Sequence, residues 1–221
     1  EQYILHKLFA LDFLVKENLK NYNFHKLYKE LLNFCALDLS SFYFDIRKDV
    51  LYCDDLNSKK RKDCIVVLNI ILDCLLKWFA PILVFTTDEI YSLVSKDKKN
   101  IHEYNFPIIS KNFKNLSLSE KWKQLFKIKE KANIAIEEKR ASKDIGSSLE
   151  AEIKITADQK NFDLLEGLDL AEYFITSKAE KFISKDKEEL KIEVKKTNGT
   201  KCPRCWKILD SKCIRCEKAI K

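Results

Sequence analysis

Methionine is absent from this 221-residue chain, and glycine and proline occur only three times each. A sandwich or barrel of many short strands needs those residues at its turns, so their scarcity argues against one. The lack of Met, in a chain that opens on Glu1 inside an apolar-periodic run, reads as a piece of a longer polypeptide. No charged and apolar leader precedes a small-residue cleavage site, so no secretory signal is read, and an internal piece would carry none. The three histidines, His6, His25 and His102, have no carboxylate or cysteine constellation around them and read as structural. Neither a glycine-rich phosphate loop nor a Ser/His/Asp arrangement is visible, and nothing in the chain looks like an active site.

What is abundant is Lys and Glu, beside 46% hydrophobic residues, enough for a real core and suited to long helices joined by polar turns. Ile4, Leu8, Leu11 and Val15 mark one face of a first helix over residues 1–19. Phe24, Leu27, Leu31 and Phe34 mark a second, continuing toward Arg47, with Ser40 and Ser41 placed to bend it. The most apolar stretch, CIVVLNIILDCLLKWFAPILVF from Cys64 to Phe85, carries Asn69, Asp73 and Lys77 at every fourth position and then Pro81. One polar stripe on such a helix predicts burial in a bundle rather than a membrane span. Thr87 reads as the cap of a short helix, DEIYSLV, and Ser119 as the start of a long one running to about Ala141 with Trp122, Leu125, Ile128, Ala132 and Ile136 inward. Beyond Gly146 the period changes to two. SLEAEIKITAD and ELKIEVKK alternate like strands, NFDLLEGLDLAEYFI between them looks helical, and KAEKFIS is a candidate third strand. Arg47 and Lys48 read as a solvated helix end.

The tail differs from everything before it. In KCPRCWKILDSKCIRC, Cys202, Cys205, Cys213 and Cys216 form two Cys-x-x-Cys pairs separated by seven residues. Each turn places two sulfurs on one side of a tight loop, and the connection lets the pairs face each other tetrahedrally, the spacing of a structural four-cysteine zinc site. Four protein ligands leave no position open for water, so such a zinc folds the tail and does not catalyse. The alternatives are a pair of disulfides or idle thiols, but redox Cys-x-x-Cys pairs sit in a thioredoxin-like βαβ context that is missing here. The remaining cysteines, Cys35, Cys53, Cys64 and Cys74, lack ligand spacing and read as reduced core thiols, as in a cytosolic protein.

Charge is concentrated in the same place. Nine cations (Lys195, Lys196, Lys201, Arg204, Lys207, Lys212, Arg215, Lys218 and Lys221) face only Asp210 and Glu217, so the formal +7 of the chain resides there. A divalent ion held by four thiolates leaves the tail still basic, suited to an anionic partner. Trp206 follows the second cysteine directly. It is placed either to stack on an unpaired base or to cover the metal site as a miniature core.

These residues resemble one family. The run YNFHKLYKELLNFCALDLSSFYFDIRKDVLYCD, Tyr22 to Asp54, is similar to the anticodon-binding helical domain of bacterial-type isoleucyl-tRNA synthetases. KWFAPILVFTTDEIY, Lys77 to Tyr91, resembles the next helix pair, which usually carries Trp where Tyr91 stands. IGSSLEAEI, Ile145 to Ile153, resembles the entry into the small domain after the bundle, and KCPRCWKIL with CIRC the terminal zinc module. The resemblance covers essentially the whole chain in the family's order. The opening EQYILHKL is looser than usual and the loop between the knuckles is short.

The resemblance implies a mainly α fold: a helical-bundle anticodon-binding domain over 1–112, a long helix with a small α/β junction domain over 113–200, and a C-terminal four-cysteine zinc knuckle module over 201–221. It implies an ATP-dependent ligase joining L-isoleucine to tRNA(Ile). The catalytic domain with its ATP and Mg2+, and the editing domain, would lie upstream, so this piece would not activate isoleucine. Its role would be to grip the anticodon stem-loop, with Lys195, Lys196, Lys201, Arg204 and Arg215 on phosphates or base edges and Trp206 stacking. A cytoplasmic monomer is expected. The competing readings are the anticodon domain of another class I synthetase and a non-enzymatic zinc-stabilised interaction module.

Overall fold

The computed structural model describes residues 1–97, 99–184 and 190–220. Lys221, one of the nine tail cations, lies outside them. The chain divides into two compact units, one of Glu1–Arg47 with Asn57–Leu116, the other of Lys48–Leu56 with Ser117–Lys221. The predicted class is the observed one, mainly helical with a small sheet region and a four-cysteine cluster. Among the described residues, no helix is long and apolar enough to cross a membrane.

In the first unit, α1 (Gln2–Lys20) buries Ile4, Leu8, Leu11 and Val15 as its period predicts. Helix α2 (Phe24–Asn33) is capped by Asn23, whose side chain accepts from the Lys26 N–H. Leu27 and Leu31 are fully buried, but Phe24 is exposed at the helix start, where it meets Tyr22 edge-on. The chain then continues as a π-helical segment, Phe34–Phe44, in which the Ser41 hydroxyl donates to the Ala36 carbonyl five residues back. The buried residues Phe34, Leu39 and Tyr43 are five and four apart. A wider turn with i→i+5 bonds brings that spacing inward. Asp38 ion-pairs with Lys7 at 3.1 Å. The segment runs into α3 (Asp45–Cys53), whose Arg47 is not a solvated end: its guanidinium binds Glu1 at 2.7 Å and is mostly covered.

Ser58 caps α4 (Lys59–Phe79), accepting from the Arg61 N–H. Cys64, Val67, Ile71, Cys74 and Trp78 point inward, and the Asn69 and Asp73 side of the helix is exposed together with Ile65, Val66 and Leu72. The outer face is therefore broader and more apolar than a single polar stripe. Helix α5 (Val84–Val94) starts three residues before the expected cap. Thr87 sits inside it, buried, with its hydroxyl donating back to the carbonyls of Leu83 and Val84, the bond a β-hydroxyl residue makes to the preceding turn when it lies within a helix rather than at its cap.

In the second unit, α6 (Leu116–Ala141) begins ahead of Ser119 and buries Leu125, Ile128, Ala132 and Ile136. Strand β1 (Ala151–Ala157) alternates strictly, with Ala151, Ile153, Ile155 and Ala157 fully buried. Two short helices, α7 (Gln159–Leu164) and α8 (Leu170–Phe174), cross over to β2 (Lys178–Ile183), which pairs parallel to β1, while β3 (Leu190–Lys196) pairs antiparallel on its other side. Tyr173 and Phe174 of α8 complete this core, and Trp122 of α6 meets Tyr173 edge-on at 5.6 Å.

The opposite face of the sheet is a charge ladder. In register, Lys178 of β2, Glu152 of β1 and Lys195 of β3 form one row, and Glu180, Lys154 and Glu193 the next. Signs alternate in both directions, which favours cross-strand neighbours and leaves little net field.

Candidate metal centre and basic face

The last 21 positions have few apolar residues to bury, so their order must come from elsewhere. Strand β4 (Thr200–Lys201) pairs antiparallel with β5 (Ile208–Leu209), and the first knuckle fills the connection. There the Cys202 N–H donates to the Lys207 carbonyl and the Trp206 N–H to the Cys202 carbonyl, both at 2.9 Å, closing a tight turn. Cys213 precedes helix α9 (Ile214–Ile220), and Cys216 sits in its first turn.

The four thiol sulfurs lie within 4.8 Å of one another, and Cys205 and Cys213 are 3.8 Å apart. A tetrahedral zinc with bonds of about 2.3 Å has sulfur-sulfur edges of about 3.8 Å, whereas a disulfide needs about 2.05 Å. All eight cysteines are free. Three of the four ligand candidates are buried and the fourth is half-buried, so the set fits an enclosed four-thiolate site with no room for a reactive water. Among the described residues this is the one cluster suited to a metal.

Crowded thiols resist losing their protons together. Burial, then neighbouring sulfurs, push Cys205 and Cys216 up. Burial also opposes ionisation of Cys202, but the N–H groups of Cys205 and Arg204 and the adjacent thiols outweigh it and bring Cys202 down to about 7. A divalent cation would remove the repulsion that separates these sites. A cavity of about 520 Å³ borders Cys202, Cys213 and Cys216 and is rimmed by Lys201 and Lys212, so it belongs to the same centre.

The module is tied to the rest of its unit on two sides. On one, the Ile208 N–H donates to the Ser177 hydroxyl at 2.7 Å, and Lys178 pairs with Asp210 at 2.7 Å. On the other lies the segment 48–56 at the end of α3. Arg215 binds Asp49 bidentately at 2.6 and 2.9 Å and reaches Asp54 at 3.3 Å. Arg204 donates to the carbonyls of Cys53 and Tyr52, both at 2.8 Å, satisfying carbonyls at a helix C-terminus. Burial would raise Asp49, but the hydrogen bonds and charge of Arg215, with the charge of Lys207, hold it below its ordinary value.

The six expected RNA contacts therefore fall into two groups. Lys195, Lys196, Lys201 and Trp206 are exposed, Trp206 at 61%. Arg204 and Arg215 are half-buried, with guanidinium groups engaged on the protein. Trp206 also adopts φ +64°, a left-handed conformation that costs a non-glycine residue about 1–2 kcal/mol.

Sequence reading did not single out Asp49, Asp54 or Ser177. It treated Cys53 as an ordinary core thiol, whereas Cys53 belongs to one buried cluster with Cys202, Cys205 and Cys216. No spacing rule could have joined Asp49 or Asp54 to Arg215, more than 150 residues away.

The chain matches the family described as the anticodon-binding domain of tRNA ligase over residues 1–155. It belongs to that family. Among curated relatives, the isoleucine-tRNA ligase of Pelagibacter ubique is 52% identical over 215 residues, covering 97% of this chain and 24% of that protein. The isoleucine-tRNA ligases of Agrobacterium fabrum and Bartonella quintana are each 38% identical, covering 94% of this chain and 22% of theirs. The chain thus spans about a quarter of the length of the relatives it matches. The anticodon-binding match covers the first unit, α6 and most of β1, and ends before the cysteine module.

Proposed function

We propose that this chain is the anticodon-gripping part of an isoleucine-tRNA ligase, holding the stem-loop of tRNA(Ile) while a catalytic domain elsewhere in the protein joins L-isoleucine to the tRNA with ATP and Mg2+. The observation that carries this reading is the 52% identity to an isoleucine-tRNA ligase across 97% of the chain. The division into a helical domain over 1–112, a junction domain over 113–200 and a zinc module over 201–221 is part of the same proposal, as is a monomeric, cytoplasmic protein.

In this account one structural zinc, held by Cys202, Cys205, Cys213 and Cys216, orders the module. Trp206 stacks on an unpaired anticodon base, an interaction worth about 1–3 kcal/mol. Lys196 and Lys201 hold phosphates, which position the RNA without reading it. Lys195 does so more weakly, because Glu152 stands beside it across the sheet. Arg204 and Arg215 serve through the docking of their knuckles, with any N–H left over turned to the RNA.

The test is a titration of the zinc-loaded chain with tRNA(Ile) and a non-cognate tRNA at two salt concentrations, beside Cys213→Ser. Preferential, salt-sensitive binding lost together with the metal is the expected result. Equal binding to both tRNAs, unaffected by the substitution, would refute the reading.

A further inference from the structure

Each cysteine knuckle encloses one arginine, Arg204 between Cys202 and Cys205, Arg215 between Cys213 and Cys216. Both point back to the same short stretch of chain, 151 to 166 positions earlier. The Arg204 bonds end on backbone carbonyls of Tyr52 and Cys53, which any residue there would offer. The Arg215 bonds end on a side chain, and their form is specific. Nη1 and Nη2 donate to the two oxygens of Asp49, a fork-to-fork pair that fixes distance and plane together. Asp49 is partly covered, with side-chain exposure of 23%, and Lys207 approaches the same carboxylate at 3.9 Å. One acid thus receives cations from the second knuckle and from the residue next to Trp206.

We propose that Asp49 is the positioning residue of the cysteine module, setting the direction in which Trp206 is presented to RNA. The proposal rests on the anticodon-binding reading above. Along its other edge the module is held through Ser177 and Lys178. A small body fastened along one edge can pivot, and one fastened along two cannot. The second fastening is shared by Arg204 on the carbonyls of Tyr52 and Cys53 and by Arg215 on Asp49 and Asp54, and within it Asp49 supplies the planar, two-point contact that resists rotation. Its neighbour Lys207 follows Trp206 in the chain, and the Trp206 backbone is already confined to a left-handed conformation. A shift of the knuckles relative to residues 49–54 is therefore passed to the Trp206 ring. Asp49 touches no RNA in this account, and its effect runs through Trp206.

The experiment is a double-mutant cycle in the zinc-loaded full chain. Asp49→Asn, Asp49→Glu, Trp206→Ala and the Asp49→Asn/Trp206→Ala pair are compared for bound zinc and for affinity toward a tRNA(Ile) transcript at fixed salt. Asp49→Asn is expected to keep its zinc yet bind about tenfold more weakly, as for loss of one member of a charged contact. Asp49→Glu should recover part of the loss, and in the Trp206→Ala background the Asn substitution should cost little further affinity. Unchanged affinity in Asp49→Asn, or a loss that adds fully to that of Trp206→Ala, would overturn the proposal alone. Loss of zinc in both Asp49 variants would also overturn it, since the carboxylate would then keep the module folded rather than aim it. A wild-type chain without salt-dependent preference for tRNA(Ile) would remove the anticodon-binding reading and this proposal with it.

Discussion

Gly199 and Gly167 both have positive φ, +133° and +75°, and comparing alanine at the two positions separates backbone strain from steric conflict. At Gly167 an added Cβ meets nothing within 4 Å, so Gly167→Ala should cost only the conformational penalty, about 1 kcal/mol. At Gly199 the same atom would lie 2.4 Å from the Leu209 carbonyl oxygen, 2.8 Å from its carbon and 3.3 Å from Ile208 Cγ2. The first two are backbone atoms of β5, paired with Thr200 and Lys201 in the hairpin that frames the first knuckle. They cannot rotate away as a side chain would.

A residue forced into this region costs about 1–3 kcal/mol, and overpacking about 1–3 more, so Gly199→Ala should cost about 2–6 kcal/mol. The assay is urea unfolding of both variants by circular dichroism, fitted with a separate transition for each unit, together with the rate at which a chelator extracts zinc. Gly199→Ala should destabilise the second unit several-fold more than Gly167→Ala and speed zinc extraction, while Gly167→Ala leaves extraction unchanged. Equal destabilisation by the two substitutions would refute the steric argument.

Three further outcomes follow from the structure. Trp206→Gly should stabilise the module by about 1 kcal/mol in chemical unfolding, because glycine accepts the left-handed backbone, yet weaken tRNA binding by about 1–3 kcal/mol through loss of the stacked ring; movement of both quantities in the same direction would contradict it. Lowering the pH from neutral should reduce zinc affinity in a chromophoric-chelator competition, because four thiolates must take up protons as the metal leaves. His6 should make the first unit sensitive to mild acid. Burial, then Lys7 and Lys114, lower its pKa from 6.5, and its Nδ1 accepts the Asn115 N–H at 3.0 Å. A depressed histidine favours the fold fully above the unfolded value and loses that contribution as the pH falls from about 6.5 through the folded value. Thermal unfolding of His6→Gln should then show a weaker pH dependence over that window than wild type.

Much of this protein could be read directly from the order of its residues. Helical and strand periods placed α1, α4, α6, β1 and β3, because a face that must be buried imposes its repeat on the chain locally. The four-cysteine cluster was legible for the same reason, since a tetrahedral ion constrains ligands only a few residues apart. Local rules failed where two local options were close in energy. Thr87 could cap a helix or bond back inside one, and the 34–44 segment could keep an α period or widen to bury Leu39 and Tyr43.

Only the tertiary structure decided what the tail arginines do. Their charge was evident from the sequence, but a guanidinium is directed by whichever acceptors the fold brings within reach. Those acceptors, Asp49, Asp54 and the last carbonyls of α3, stand more than 150 positions away. Exposure of the Trp206 ring has the same origin. Whether a large aromatic covers a metal or faces solvent depends on the backbone angle at one residue and on the surface against which its module is packed, and neither is written in the spacing of the cysteines.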